Sequence, residues 1–155
     1  MIDPSQAIQD ALFTILDGNI TYTNSSDKTK DVKVFKHTPQ ANEIPIVKGQ
    51  LYHYIEIGNI SDIETPGNAD TFVHDTSVEV QVIVGFPGIG SQQVVNNIVN
   101  QVTQLVQTAK GGQLSLGSSF SNIIHYLEIA FQTTEQDTHK KIIKTLRYRL
   151  ESDEN

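Results

Sequence analysis

The chain contains no cysteine, so disulfides and thiolate zinc sites are closed to it, and nothing in it reports on redox compartment. Charge is sparse, at 19% of residues. What charge there is leans acidic: 18 Asp and Glu against 11 Lys and Arg, a formal net charge of −7. An acidic chain is repelled by a phosphate backbone, which argues against nucleic acid as a partner, sequence-specific binding included. No stretch approaches the roughly 20 apolar residues that cross a bilayer, so no membrane partner is expected. The opening Met1-Ile2-Asp3-Pro4 has neither a basic region nor a signal-peptide core, and synthesis in the cytoplasm is the expectation. Lys and Arg are missing altogether between Gly49 and Ala109.

What is present suits one domain over 1–155, with 37% hydrophobic residues to fill a modest core. Residues 4–16 predict a helix, because Ile8, Ala11, Leu12 and Ile15 recur at helical spacing behind an Asp3 cap and Pro4. The polar stretch 17–31 is expected to be an exposed loop. A short strand over 32–36 and a proline-bearing connector over 39–49 follow. In the strand 51–57, Tyr52 and Tyr54 face one way and Ile55 and Ile57 the other. Residues 58–71 are expected to form a long loop around Thr65-Pro66-Gly67-Asn68. The clearest strand is 72–84, where Val78, Val80, Val82 and Val84 alternate with Ser77, Glu79 and Gln81. One buried and one polar face argue for an antiparallel sheet.

Residues 91–109 predict the longest helix, with an apolar stripe of Val95, Ile98, Val99, Val102, Leu105 and Val106. A strand over 123–131 would place Ile123, His125, Leu127, Ile129 and Phe131 on one face. After a turn at 133–138, the last strand, 139–150, buries Ile142, Leu146, Tyr148 and Leu150, and 151–155 is expected to fray. The order helix, three strands, helix, two strands predicts an α+β fold: an antiparallel sheet of four to five strands with two helices packed on one face.

This order resembles the tail-terminator, or tail-completion, proteins of long-tailed bacteriophages. The residues that carry the resemblance are Tyr54-Ile55-Glu56-Ile57-Gly58, the loop after it, and Thr76-Ser77-Val78-Glu79-Val80-Gln81-Val82-Ile83-Val84. A glycine-containing break, an apolar helix, a strand and a final strand bearing Arg147 and Arg149 complete it. The resemblance implies a structural virion protein, not an enzyme. It implies a hexameric homo-oligomeric ring at the tail–head interface that caps the tail tube and meets the tail-tube protein and the head connector. It carries over no catalytic residue, cofactor or metal. Another neck, connector or tail-tube subunit is the alternative; a small cytoplasmic α+β enzyme or ligand-binding domain is the third reading.

Chemical motifs were weighed beside it. Gly85-Phe86-Pro87-Gly88-Ile89-Gly90-Ser91-Gln92 has nucleotide-loop spacing between a strand and a helix, but Ser91 stands where lysine is needed. The loop reads instead as a turn that needs glycine dihedrals. His37, His53, His74, His125 and His139 form no helical ligand pair and read as isolated strand-edge or loop histidines.

Charge is more informative. Lys140, Lys141, Lys144, Arg147 and Arg149 crowd the last strand, whereas Glu56, Asp62, Glu64, Asp70, Asp75 and Glu79 occupy the stretch without Lys or Arg. Two readings stand level: pairing inside one subunit, or a head-to-tail contact in which Glu56 and Glu79 of one copy meet the basic strand of the next. Asn97, Asn100, Gln101 and Gln104 give the second helix an uncharged polar side suited to an interface. Asp62, Glu64, Thr65, Pro66, Gly67, Asn68 and Asp70 are the expected contact loop for tube or connector. The structural reading of the glycine turn predicts that calorimetric titration with magnesium ATP or GTP shows no binding tighter than about 100 μM.

Overall fold

A computed structural model of the chain describes residues 3–23, 29–44, 52–66, 72–108 and 114–155. Helix α1 (Ser5–Leu16) starts one residue later than the sequence places it, with Pro4 and not Asp3 at the N-cap. The Asp3 carboxylate accepts the Ser5 N–H at 2.8 Å, and the Pro4 carbonyl accepts the Ile8 N–H at 2.9 Å. Its buried stripe is Ile8, Ala11, Leu12 and Leu16.

Two three-residue strands, β1 (Thr21–Thr23) and β2 (Thr29–Asp31), pair antiparallel. They lie inside the stretch expected to be a polar loop. The reason is at their flanks: Ile20 and Val32 are buried in the core, and the Val32 N–H donates to the Ile20 carbonyl at 2.8 Å. Two apolar anchors thus pull a polar segment down onto the domain.

The main sheet has five strands in the order β3 (Val34–Phe35), β4 (Tyr52–Pro66), β5 (Phe72–Phe86), β7 (Lys140–Glu154), β6 (Phe120–Gln136). Every long pair is antiparallel; only β3 runs parallel to β4, at Val34–Ile55 and Phe35–Glu56. Helix α2 (Gln92–Thr108) and α1 cover one face. The core unites Ile8, Leu12 and Leu16 of α1 with Val95, Ile98, Val102 and Val106 of α2. Beneath them lie Ile55, Ile57, Val78, Val80, Val82, Val84, Ile142, Leu146, Tyr148 and Leu150. Burying the four α2 residues alone contributes about 6–12 kcal/mol before chain entropy is charged. A small second cluster, Phe35, Tyr54 and Ile83, lies apart from that core. The α+β class and the two helices on one face agree with the sequence.

Four expectations are corrected. Residues 58–66 continue β4 instead of forming a loop, with Ser61–Ser77 to Pro66–Phe72 in register with β5 beyond a bulge between Gly58 and Ser61. Of the expected contact loop, Gly67, Asn68 and Asp70 lie outside the described residues. The chain's last residues do not fray: Glu151–Glu154 belong to β7, and Ser152 and Glu154 are buried. The expected strand 32–36 shrinks to Val34–Phe35.

The fourth correction matters most. His125 and Leu127 oppose Leu150 and Tyr148 on the helix side, but a bulge between Leu127 and Ile129 inserts one residue. Side chains alternate with period two, so that insertion sends Ile129 and Phe131 to the outer face, opposite Arg147 and Thr145. They are not on the face of His125.

The glycine turn also has a packing reason. Gly90 sits at φ +83°, and a Cβ there would lie 2.7 Å from the Phe86 ring. Ile98→Asp places a carboxylate in the core with no partner and should cost more than about 3 kcal/mol in a denaturant melt. Gln81→Asp, on the outer face, should stay within about 1 kcal/mol of the parent. The reverse ranking would mean that β5 is out of register by one residue.

Candidate functional site

The outer face of the sheet brings together most of the charged residues singled out in the sequence, and it brings them together inside one chain. Glu79 and Arg147 are cross-strand partners in β5 and β7, and the Arg147 guanidinium donates to the Glu79 carboxylate at 3.1 Å. Two strand positions on, Arg149 forms a fork on Asp75, with Nε donating to Oδ1 at 2.7 Å and Nη2 to Oδ2. The Arg149 hydrogen bond holds the Asp75 carboxyl below the usual carboxylate range. Lys141 lies 3.9 Å from Glu135 of β6. Glu56 accepts the Thr38 hydroxyl. Lys140 and Lys144 point to the other face, as the partners of Phe86 and Val82. The basic and acidic stretches of the sequence are therefore neighbours in one sheet, and Arg147 and Glu79 are engaged with one another before any second copy arrives.

The amide side of α2 is partly engaged as well. The Gln101 side chain accepts the Thr21 N–H at 2.9 Å and donates to the Thr21 carbonyl at 2.8 Å. It pairs with β1 as another strand would. It also donates to Asn97 Oδ1 at 2.8 Å. Asn97 and Gln101 line, with Thr21, Tyr22, Gln93 and Val94, an open groove of about 540 Å³ to which the described residues bring no charged side chain. Asn100 and Gln104 are exposed on α2.

Asp62 was expected in a contact loop; it sits instead in a buried clasp. His74 is fully buried on the helix side of β5. Its Nδ1 lies 2.8 Å from Asp62 Oδ2 in β4, and its Nε2 lies 3.1 Å from Glu154 Oε2 at the end of β7. Thr76 donates to the other Asp62 oxygen at 2.9 Å, and the Phe120 ring packs edge-on against the imidazole at 5.6 Å. Burial disfavours the imidazolium, but the hydrogen bonds to Asp62 and Glu154 outweigh it, and the His74 pKa is raised above its ordinary value. With both ring nitrogens facing carboxylates, the His74 ring joins three strands in surroundings that favour the imidazolium. Among the described residues no cluster of His, Asp and Glu is arranged to hold a metal ion.

Of the other histidines, His37 and His139 lie outside the strands, as expected, whereas His53 and His125 are not the edge residues expected. His53 is buried with its ring 5.2 Å from that of Tyr22, and His125 is buried with Nε2 2.9 Å from the Val106 carbonyl. His139 meets the Tyr52 hydroxyl at 2.7 Å. The signal available in the sequence was parity: His74 is in phase with Val78, Val80 and Val82, which places it on the buried face.

One surface had no place in the sequence expectations. On both sides of the bulge, the outer side of β6 presents Ile124, Tyr126, Ile129 and Phe131 with exposures of 57%, 42%, 44% and 38%. Leu127 adds 40% on the other side.

Comparison with known protein families and with curated proteins returns no match. Among solved structures, the chain is similar to a component of the virion of a native gene transfer agent particle. Identity is 11%, over 97% of this chain and 91% of that one, with a TM-score of 0.49. A likeness at that level fixes neither family nor role.

The clasp makes a pH prediction with a definite sign. A histidine whose folded pKa is raised contributes stability that is complete below its unfolded value, about 6.5, and is lost as pH rises through the folded pKa. His74→Gln should therefore destabilise the chain by about 2 kcal/mol near pH 6 and by less near pH 9, in paired denaturant melts. An equal loss at both pH values would show that His74 is held neutral.

Proposed function

We propose that the chain is a structural subunit of a phage-type virion, a tail terminator that closes as a hexameric ring on the tail tube and offers the surface to which the head connector joins. The observation that carries this reading is the exposed apolar flank of β6, at the edge of a sheet with no strand beyond it among the described residues. A chain that works alone does not leave so long an edge open, because it invites pairing with other chains. The sequence supports the same reading through the segments Tyr54–Gly58 and Thr76–Val84 and the order of elements around them. The polar groups support it from another side: buried His74 with Asp62, and the partly exposed pair of Arg149 and Asp75, are engaged in holding strands together.

The reading has two checks. Sedimentation of the purified chain should show a concentration-dependent species near six times the subunit mass of 17.2 kDa. In particles carrying a labelled subunit, the label should appear once, at the head-proximal end of the tail. Label spread along the tube would make the chain a tube subunit, and label absent from particles would end the virion reading.

A further inference from the structure

We infer that the β6 flank receives a second copy of this chain, whose β4 edge continues the sheet; the inference rests on the ring reading above for its closure, though not for the contact itself. Strand β6 spans Phe120–Gln136, and its described pairing is to β7 alone. At about 3.3 Å per residue that is an edge of roughly 50 Å. Natural sheets blunt such edges with lysine, proline or a covering loop. Between Phe120 and Thr134 there is no Lys, Arg or Pro, and Glu128 is the sole charge. The bulge, which often protects an edge, here does the reverse by turning Ile129 and Phe131 outward beside Ile124 and Tyr126. Taking 150–250 Å² for a full large side chain, these four expose roughly 300 Å² of apolar surface, the size of a functional patch on a small protein.

The subunit's own far edge fits that patch. Strand β3 pairs with β4 only at Ile55 and Glu56, so from Gly58 to Pro66 the outward edge of β4 faces no described strand. That edge also lacks Lys and Arg, and Ile63 stands on its outer face at 64% exposure. Directions agree. Strands β4 and β7 are both antiparallel to β5, and β6 is antiparallel to β7. A copy added in the sheet's own sense therefore sets its β4 antiparallel to β6, like every long pair within the subunit. Pairing β6 with β6 of another copy would stop at a dimer and leave both β4 edges open. Pairing β6 with β4 uses two different surfaces on each copy, the kind of contact that closes rings.

The test uses three variants of the full chain: Ile129→Lys with Phe131→Lys on β6, Ile63→Lys on β4, and Ile89→Lys in the distant glycine turn as control. Ile124→Lys, at the other end of the stripe, serves as a second β6 variant should the double one melt early. Mass is followed by sedimentation over a concentration series, and folding by thermal melts. The β6 and β4 variants should each be folded and dissociate at concentrations at least about tenfold above the parent. Ile89→Lys should assemble like the parent. Mixing the β6 and β4 variants should give a heterodimer, because each retains one intact surface. Rings that persist in the β6 variants overturn the inference and leave the ring reading standing. Assembly lost in both variants and not restored by mixing overturns the pairing of β6 with β4. Restoration by mixing in a parent that forms open chains supports the contact and ends the ring reading. A parent that is monomeric at every concentration overturns both.

Discussion

The pairing of β5 with β7 is the constraint on which the rest of the fold depends. It runs without a bulge from Val73–Asp153 to Phe86–Lys140. Because parity is never interrupted, Val78, Val80, Val82 and Val84 stay on the same face as Ile142, Leu146, Tyr148 and Leu150. Both helices dock on that face. The same parity sends Asp75, Glu79, Arg147 and Arg149 to the opposite side and sets them as neighbours. Core and ion pairs are thus two results of one register. The three irregularities lie in the flanking strands, one in β4 and two in β6, where a shift changes the surface without disturbing the core.

The two polar devices of the subunit divide the work of fastening its ends. Gln101 ties β1 to α2 with a neutral amide, which needs no compensating charge. His74 ties β4 and the end of β7 to β5 with a charge that two carboxylates neutralise. Exposed ion pairs contribute little to stability; the buried His74 ring contributes because its loss would take from Asp62 and Glu154 the partner that they share. Gln101 also lines the open groove beside α2, whereas the His74 ring is fully buried.

What the sequence disclosed, and what it withheld, follows the same physics. Helices α1 and α2, the faces of β4 and the whole alternation of β5 were legible because each buries one face and repeats with its own period. The outward parity of Lys141, Arg147 and Arg149 was legible for that reason too. The hairpin of β1 and β2 was not, since its strands read Thr-Tyr-Thr and Thr-Lys-Asp and its buried anchors, Ile20 and Val32, lie at the flanks. The outer half of β4 was hidden because Ser61, Asp62 and Glu64 look like a loop until β5 is laid beside them. The face of Ile129 and Phe131 could not be read at all: alternation from Ile123 carries them inward, and only the extra residue at the bulge carries them out. Glu154 as a partner of His74 depends on two strands 80 positions apart in the chain.

The strand order has a consequence for how the chain is made. Strand β7 lies between β5 and β6 in the sheet, yet Lys140 follows Phe86 by about 50 residues. A ribosome adding 5–20 residues per second leaves β5 without its second neighbour for roughly 3–10 s. During that interval the β4–β5 hairpin shows the nascent-chain environment a valine-rich strand with one open side. The hairpin β6–β7 has the opposite schedule: it is local, and its two strands emerge one directly after the other. The later hairpin therefore inserts the strand that completes the core, and β6 comes to rest outermost among the described strands.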